Sequence, residues 1–186
     1  MTKVAVWCRH EGDNIIGIGD SIPWRVPSDL KKFGRIVTGQ NIVVGRKTYE
    51  TLPPKFDKET IFVLSGQEDY ETRAPQHQVV TKTKFFKDME DDLYLCGGAG
   101  IYNLFMGDGG KLMPDVIVDC VYHGEMQQAD GEKVDISSSV DMMRKKYMQV
   151  GSVYEEDNVT TAIYVKRGNF VEQRILKHII NSIINS

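Results

Sequence analysis

The side chain in this sequence with the clearest chemical potential is the carboxylate of Asp29. It follows the corner Pro23-Trp24 and falls in the first turn of a predicted helix. A carboxylate that faces the interior is a buried charge in need of a partner, and no basic partner is obvious nearby in the sequence. Such an acid indicates a ligand site. Because it accepts two hydrogen bonds side by side, it matches an amidine-like edge, such as that of a 2-aminopyrimidine.

The helix that carries Asp29 is predicted from its apolar spacing. Ser28 is the expected N-cap and Gly39 the expected stop. Phe33 lies four positions after Asp29, so both side chains would line one wall of a pocket. The alternative interpretation is that Asp29 only helps to cap its own helix.

Two glycine-containing junctions between a strand and a helix could bind phosphates. The first, Gly97-Gly98-Ala99-Gly100, follows a buried strand and leads into a helix whose first N–H groups are free for an anion. The second, Gly45-Arg46-Lys47-Thr48, places two cations at a helix start, where an anion bound between them would stabilise them. A structural tight turn and a solvated basic turn are the alternatives. Two such junctions suit a dinucleotide better than a single phosphate.

Composition narrows the class of protein. A chain of 186 residues predicts one domain, and a net charge of −3 gives no electrostatic reason to expect a nucleic-acid partner. No apolar run is long enough for a membrane span, and the N-terminus lacks a signal-peptide pattern. The three cysteines (Cys8, Cys96 and Cys120) have no metal-ligand spacing and read as buried, reduced thiols. These features predict a cytoplasmic protein without a metal.

The elements that must position these residues alternate between strand and helix through the first two thirds of the chain, which predicts an α/β sheet with parallel crossovers. Residues 148–154 and 160–166 form a predicted hairpin, so the sheet should be mixed. Residues 170–185 carry apolar side chains at three- and four-residue steps, which is typical of an amphipathic helix.

Taken together, these segments resemble the dihydrofolate reductase family. Over residues 3–167 the matching residues occur in that family's order and at close to its spacing: Ile16-Gly17, Ile22-Pro23-Trp24, Asp29, Phe33, Gly45-Arg46-Lys47-Thr48, Leu64-Ser65 and Gly97-Gly98-Ala99-Gly100-Ile101-Tyr102. The resemblance implies a three-layer α/β domain at residues 1–167, with a central mixed, mostly parallel sheet of about eight strands flanked by helices. It also implies reduction of dihydrofolate to tetrahydrofolate by hydride transfer from NADPH.

The resemblance further implies roles for individual residues. Asp29 would hold the pterin and support its protonation, Trp24 would help to fix an ordered water, and Tyr102 would lie near the nicotinamide. Residues 16–21 would form a loop that closes over the nicotinamide. The residues that would contact substrate are Ala5 or a neighbour on the first strand, together with Asp29, Phe33, Leu52, Lys58 and Asp119. The residues that would contact the cofactor are Ile16, Gly17, Ser21, Gly45, Arg46, Lys47, Thr48, Leu64, Ser65, Cys96, Gly97, Gly98, Ala99, Gly100, Ile101 and Tyr102.

Several positions depart from the family's pattern. Glu59 stands where the family usually has an arginine that clamps the substrate's α-carboxylate, so Lys58 or Lys55 is expected to replace it. Asp119 matches the family's threonine behind the catalytic acid. Gly66 and Gly100 stand where basic or hydroxyl side chains often read the cofactor's 2′-phosphate, which leaves Lys47 for that role.

Residues 168–186 add a C-terminal helix that either docks on the chain's own sheet or mediates self-association. Two other functions stay open at this point. One is a reductase of another aminopyrimidine, of the riboflavin-pathway type that shares this fold. The other is a binding or structural protein that keeps the fold without catalysis.

Overall fold

The computed structural model describes residues 1–185, which form ten strands and six helices. The strands are β1 (Lys3–His10), β2 (Ile15–Ile18), β3 (Asn41–Gly45), β4 (Thr60–Leu64), β5 (His77–Val80), β6 (Leu93–Leu95), β7 (Val116–Tyr122), β8 (Lys133–Asp135), β9 (Tyr147–Glu156) and β10 (Val159–Lys166). The helices are α1 (Pro27–Val37), α2 (Arg46–Thr51), α3 (Lys84–Lys87), α4 (Ala99–Gly107), α5 (Ser137–Lys146) and α6 (Gln173–Ile184), with a 3-10 turn at Pro54–Phe56.

Eight strands make one sheet in the order β5-β4-β3-β6-β1-β7-β10-β9. All neighbours from β5 to β7 run parallel, whereas β10 is antiparallel to both β7 and β9. The buried, β-branched runs of the central strands suit a sheet that is covered on both faces. This arrangement confirms the predicted mixed, mostly parallel sheet of eight strands.

Two hydrophobic clusters lie on opposite faces of the sheet. On one face α1, α2 and α6 supply buried residues such as Ile36, Tyr49 and Ile179. On the other face α3, α4 and α5 supply Phe86, Phe105 and others. The predicted three-layer architecture is therefore confirmed. No helix within residues 1–185 combines the length and the apolar character needed to cross a bilayer.

Helix α1 begins one residue earlier than its predicted cap. Val26 is the N-cap, Pro27 is the first helical residue, and no side chain caps the helix by a hydrogen bond. Pro suits this position because its fixed φ matches the helix and its missing N–H would have no helical acceptor. The prediction that Ser28 is the N-cap was wrong. Asp29 lies in the first turn, where the helix dipole favours a carboxylate.

The sequence interpretation missed the small second sheet formed by β2 and β8, which are antiparallel. Residues 123–136 are mostly polar in sequence, and β8 lies within them. The pairing extends to a hydrogen bond from the Gly19 N–H to the Glu132 carbonyl, at 2.9 Å. Gly19 and Gly131 both have positive φ, and a Cβ on Gly131 would lie 2.7 Å from the Gly19 Cα. Only glycine allows these two backbones to approach so closely.

Helix α6 packs on the chain's own core. Its buried face carries Ile175, Ile179 and Ile183. Polar contacts reinforce the packing: the Arg35 Nε donates to the Ser182 carbonyl at 3.0 Å, and the His178 Nε2 donates to the Ile36 carbonyl at 2.8 Å. Of the two alternatives for the tail, docking on its own chain is therefore confirmed. A division of the chain at residue 167, and self-association through the tail, stay predictions.

Replacing Ile179 by alanine is expected to lower the free energy of unfolding by roughly 2–5 kcal/mol, because it leaves a cavity under a fully buried side chain. Urea denaturation followed by circular dichroism measures the change. Ile184→Ala is the matched control, since this side chain of the same helix is 58% exposed and its loss should cost less than about 1 kcal/mol. Equal losses for the two variants would contradict the packing described.

Candidate functional site

A cavity of about 1110 Å³ lies at the carboxyl ends of the parallel strands β1, β3, β4 and β6. This edge is where open α/β sheets bind ligands. The volume exceeds the usual range for one drug-sized ligand, so the cavity has room for two molecules side by side. One part is lined by α1 and the 3-10 turn, and the other by the glycine junctions before α2 and α4.

The part of the cavity next to α1 combines one acid with apolar walls. Asp29 faces it beside Phe33, and Phe33 meets Phe56 edge to face with ring centroids 5.6 Å apart. Leu52 also lines the cavity. Trp24 lies at the end next to the glycine loop and stacks on Tyr122 at 5.2 Å. A planar ring can thus be held by its faces between apolar side chains and by its edge at a carboxylate.

Asp29 has a basic partner that the sequence interpretation did not find. The Nζ of Lys32 lies 3.3 Å from the Asp29 Oδ1, and the Lys32 side chain is only 4% exposed. The expectation of an acid without a basic partner nearby in sequence was therefore wrong. The spacing of three residues between Asp29 and Lys32 could have predicted this pair, because residues three apart share a helix face. The Asp29 side chain remains 18% exposed toward the cavity, so the ion pair still presents an accessible carboxylate.

A hydrogen bond to strand β10 also holds the Lys32 side chain in place. Its Nζ donates to the Thr161 Oγ1 at 2.8 Å. Burial by itself would lower the pKa of Lys32, but the contact with the Asp29 carboxylate favours the charged amine, and the pKa is raised. The amine therefore stays charged at neutral pH, and the pair is a cation and an anion.

Asp119 does not stand behind Asp29. It lies on the other face of the sheet, where both its oxygens accept hydrogen bonds from Arg9, at 2.8 and 2.9 Å, and where the Trp7 Nε1 donates to Oδ1 at 2.6 Å. The β7 residue that lines the same cavity as Asp29 is Cys120. Because successive side chains of a strand point to opposite faces, the alignment was wrong by one residue. Asp119 is removed from the predicted substrate contacts.

Two further predicted substrate contacts need correction. Ala5 is buried in the core on the side of α4, and the β1 residues that line the cavity are Val6, Trp7 and Cys8. The Lys58 side chain is 72% exposed, pairs only loosely with Glu59 at 4.0 Å, and lies outside the cavity wall.

Glu59 is buried and directed away from the cavity, where its Oε2 accepts a hydrogen bond from the Gly39 N–H at 2.7 Å. A carboxylate that is engaged with the end of α1 cannot contact a ligand tail. Lys55, in the 3-10 turn, does line the cavity, and its Nζ lies 5.0 Å from the centroid of the Phe56 ring. Of the two lysines expected to replace an arginine, Lys55 is therefore the one in position.

The two glycine junctions form one continuous surface. Strands β3 and β6 are neighbours, and the Gly45 N–H donates to the Gly97 carbonyl at 2.7 Å. The two junctions are therefore adjacent in the fold, as a single dinucleotide site requires. Neither α2 nor α4 has a side-chain cap at its N-terminus, so backbone N–H groups of the first turns face the cavity.

Glycine is required at this surface for steric reasons. Gly97 has φ +114°, and a Cβ there would lie 3.3 Å from the Tyr102 hydroxyl. A Cβ on Gly98 would lie 3.2 Å from the Thr48 Oγ1. The peptide between Gly97 and Gly98 is cis. The Tyr102 hydroxyl donates to the Val6 carbonyl at 2.6 Å, which fixes α4 against β1.

The structure brings most of the predicted site residues together in this one cavity wall. They are Ile16, Gly17, Ser21, Trp24, Asp29, Phe33, Gly45, Arg46, Lys47, Thr48, Leu52, Leu64, Ser65, Cys96, Gly97, Gly98, Ala99, Gly100, Ile101 and Tyr102. Their individual roles stay predictions. The Arg46 guanidinium is already paired with Glu50 on the same helix, at 2.8 Å, which leaves the exposed Lys47 as the freer cation of that junction.

The three thiols are expected to react slowly in the folded protein. Burial raises the pKa of Cys8, Cys96 and Cys120, so the reactive thiolate is scarce near neutral pH. Each pKa unit removes a factor of about ten in thiolate, so labelling with a disulfide reagent should be at least ~10-fold slower than in urea. Rapid labelling of any thiol before unfolding would contradict the burial described.

Residues 3–146 match the family model described as dihydrofolate reductase. The Mycoplasma genitalium dihydrofolate reductase is 30% identical over 121 residues, which cover 61% of this chain and 75% of that protein. The Mycoplasma pneumoniae dihydrofolate reductase is 28% identical over 144 residues, or 72% and 84% of the two chains.

A solved structure agrees at the level of the fold. It is the dihydrofolate reductase from Enterococcus faecalis complexed with NADP(H) and RAB-propyl, with a TM-score of 0.68. The likeness covers 89% of this chain and 96% of that one at 20% sequence identity. From the match over residues 3–146 and the relatives of similar length, we conclude that this chain belongs to the dihydrofolate reductase family of oxidoreductases.

Proposed function

We propose that this protein reduces 7,8-dihydrofolate to 5,6,7,8-tetrahydrofolate with a hydride from NADPH. The single observation that carries the proposal is one cavity with an acid between apolar walls in one part and a glycine-lined, uncapped pair of helix starts in the other. The first part fits a 2-aminopyrimidine ring and the second fits a dinucleotide's phosphates.

The substrate ring would lie with its amino and N–H edge against Asp29. Phe33 and Leu52 would pack against the ring and the aminobenzoyl group, because both line the wall beside the acid. Lys55 would attract the carboxylates of the tail. A lysine at the cavity mouth is a point charge without a bidentate fork, so its hold on a carboxylate is weaker than that of an arginine.

The cofactor surface fits NADPH by its donor groups and its shape. Backbone N–H groups at the start of α4 and the Thr48 hydroxyl would bind the diphosphate, and the absence of Cβ atoms at Gly97 and Gly98 leaves room for a close approach. Lys47 would contact the 2′-phosphate, since Gly66 and Gly100 offer no side chain there. Bound NADPH supplies the hydride, and the protein supplies position and a proton path.

The proton would come from an ordered water beside Asp29, whose carboxylate would hold the ring and favour its protonation. The reaction adds a hydride to carbon and a proton to the adjacent ring nitrogen, so one protic route is enough. Trp24 stands near the glycine loop, where its indole would help to order water. Residues 16–21 would cover the nicotinamide and exclude bulk water from the hydride path.

The proposed activity is tested by mixing purified protein with NADPH and dihydrofolate and following the loss of absorbance of the reduced nicotinamide. Steady turnover is the expected result. NADPH binding without turnover would overturn the proposal in favour of a reductase of another aminopyrimidine. Loss of both binding and turnover would favour a protein that keeps the fold without catalysis.

We also propose a cytoplasmic location, dihydrofolate as the small-molecule partner and no nucleic-acid partner. The net charge of −3 and the three free thiols support these proposals. Self-association through residues 168–186 is tested by light scattering of the full chain, and a monomer mass would exclude it.

A further inference from the structure

One feature of the site is not needed for the proposed reaction: the buried cation at Asp29. Lys32 contacts the Asp29 Oδ1 at 3.3 Å and is held there by its hydrogen bond to Thr161. A lysine with 4% exposure cannot turn away into solvent. Its charge is therefore a fixed part of the electrostatic field at the acid.

The groups that face Lys32 come from four elements. They are Asp29 on α1, Cys8 on β1, Cys120 on β7 and Thr161 on β10. The two thiols are neutral at ordinary pH because burial raises the pKa of both. On its far side Lys32 also borders a smaller cavity, which Glu155 and Glu156 line. The charged pair at the ligand's edge is thus Asp29 and Lys32.

This pair changes what the site offers to a ligand. Asp29 alone would present a full negative charge and would attract a cationic ring strongly in a weakly screened cavity. With Lys32 in contact, the cation offsets part of the attraction that Asp29 exerts on a charged ring, while the carboxylate keeps its ability to accept hydrogen bonds. Hydrogen bonding to an uncharged ring survives, whereas the extra attraction for a protonated ring is reduced.

We propose that Lys32 is a specificity-determining residue, which makes the site favour an uncharged 2-amino-4-oxo pteridine over a 2,4-diamino ring that carries a proton. The inference rests on the proposed function, because it assumes that the ring lies against Asp29. It goes beyond that function, since it predicts which ring charge the site disfavours.

The test compares folic acid with its 4-amino analogue, which differ in one ring substituent and in the basicity of the ring. Dissociation constants are measured by quenching of tryptophan fluorescence, because Trp24 lines the cavity. In the native protein the two ligands should bind with affinities within about tenfold of each other. A preference of more than about 100-fold for the 4-amino analogue would overturn the proposal without any variant.

Lys32→Met should then raise the preference for the 4-amino analogue by on the order of 10- to 100-fold, chiefly through tighter binding of the charged ligand. Lys32→Gln retains a donor for Thr161 and should show the same change. Lys32→Arg keeps the cation and should preserve the native ratio. Lys177→Met is the control, since that lysine on α6 is exposed, lies outside the cavity and has its charge screened by solvent.

The outcomes separate this inference from the proposed function. If both ligands bind and the ratio is unchanged in Lys32→Met and Lys32→Gln, the proposal about Lys32 is wrong and the proposed function stands. An equal loss of both ligands in these variants would give Lys32 a purely structural role, which also overturns the proposal. If neither ligand binds the native protein, both the inference and the proposed function fail.

Discussion

Asp29→Asn is expected to lower kcat/KM for dihydrofolate by about 10²-fold or more at neutral pH, because a carboxylate that orients the ring and supports its protonation contributes on this scale. The amide keeps the size of the side chain but cannot accept two hydrogen bonds from an amidine-like edge. Steady-state kinetics with NADPH at saturating concentration measures the change. The loss should shrink as pH falls, since solvent protons then replace part of the proton supply.

Asp141→Asn is the matched control for this variant, because Asp141 lies on α5, outside the cavity, in an exposed pair with Arg144 at 3.6 Å. Its kinetic constants should equal those of the native protein. Full activity of Asp29→Asn at neutral pH would show that the proton reaches the ring by a route without this acid.

Asp119→Ala is expected to lower the free energy of unfolding by about 3–5 kcal/mol, as is typical when one partner of a buried ion pair is removed. The variant leaves the Arg9 guanidinium buried without its carboxylate, and it also removes the acceptor of the Trp7 indole. Urea unfolding monitored by circular dichroism gives the difference. Trp7 lines the cavity and meets Tyr102 edge to face at 5.3 Å, so NADPH binding should weaken as well.

Asp141→Ala serves as the comparison for stability, since an exposed ion pair contributes only about 0–1 kcal/mol. Asp119→Asn should lie between the two, because the amide oxygen still accepts one hydrogen bond while the charge is lost. A loss below about 1 kcal/mol for Asp119→Ala would mean that Arg9 and Trp7 find other acceptors.

The sequence predicted the central architecture well because the signals there are local. Short local patterns are enough to predict these elements: the apolar runs at β3, β4 and β7 and the glycine junctions after β3 and β6. The residues around the two junctions therefore line one cavity, as predicted. The small β2–β8 sheet was missed, because its strands are short and the second lies in a polar stretch.

The errors at the site share one physical cause: they depend on orientation rather than on residue type. Asp119 and Cys120 are adjacent in β7 and differ only in the face to which they point, so a shift of one residue exchanges the core and the site. The prediction that Ala5 on β1 contacts substrate was wrong for the same reason, because its side chain points into the core. Lys32 was missed because lysine is rarely buried, although its spacing from Asp29 was favourable.

The contact between Gly19 and Gly131 has a consequence for ligand exchange. Residues 16–21, the proposed cover of the nicotinamide, include part of strand β2, which pairs with β8, so they cannot lift alone without breaking these hydrogen bonds. The proposed cover would be a two-strand flap whose stiffness is encoded partly in residues 131–135, far along the chain from the loop itself. Release of ligand would thereby be coupled to a segment that touches the cavity only at Val134.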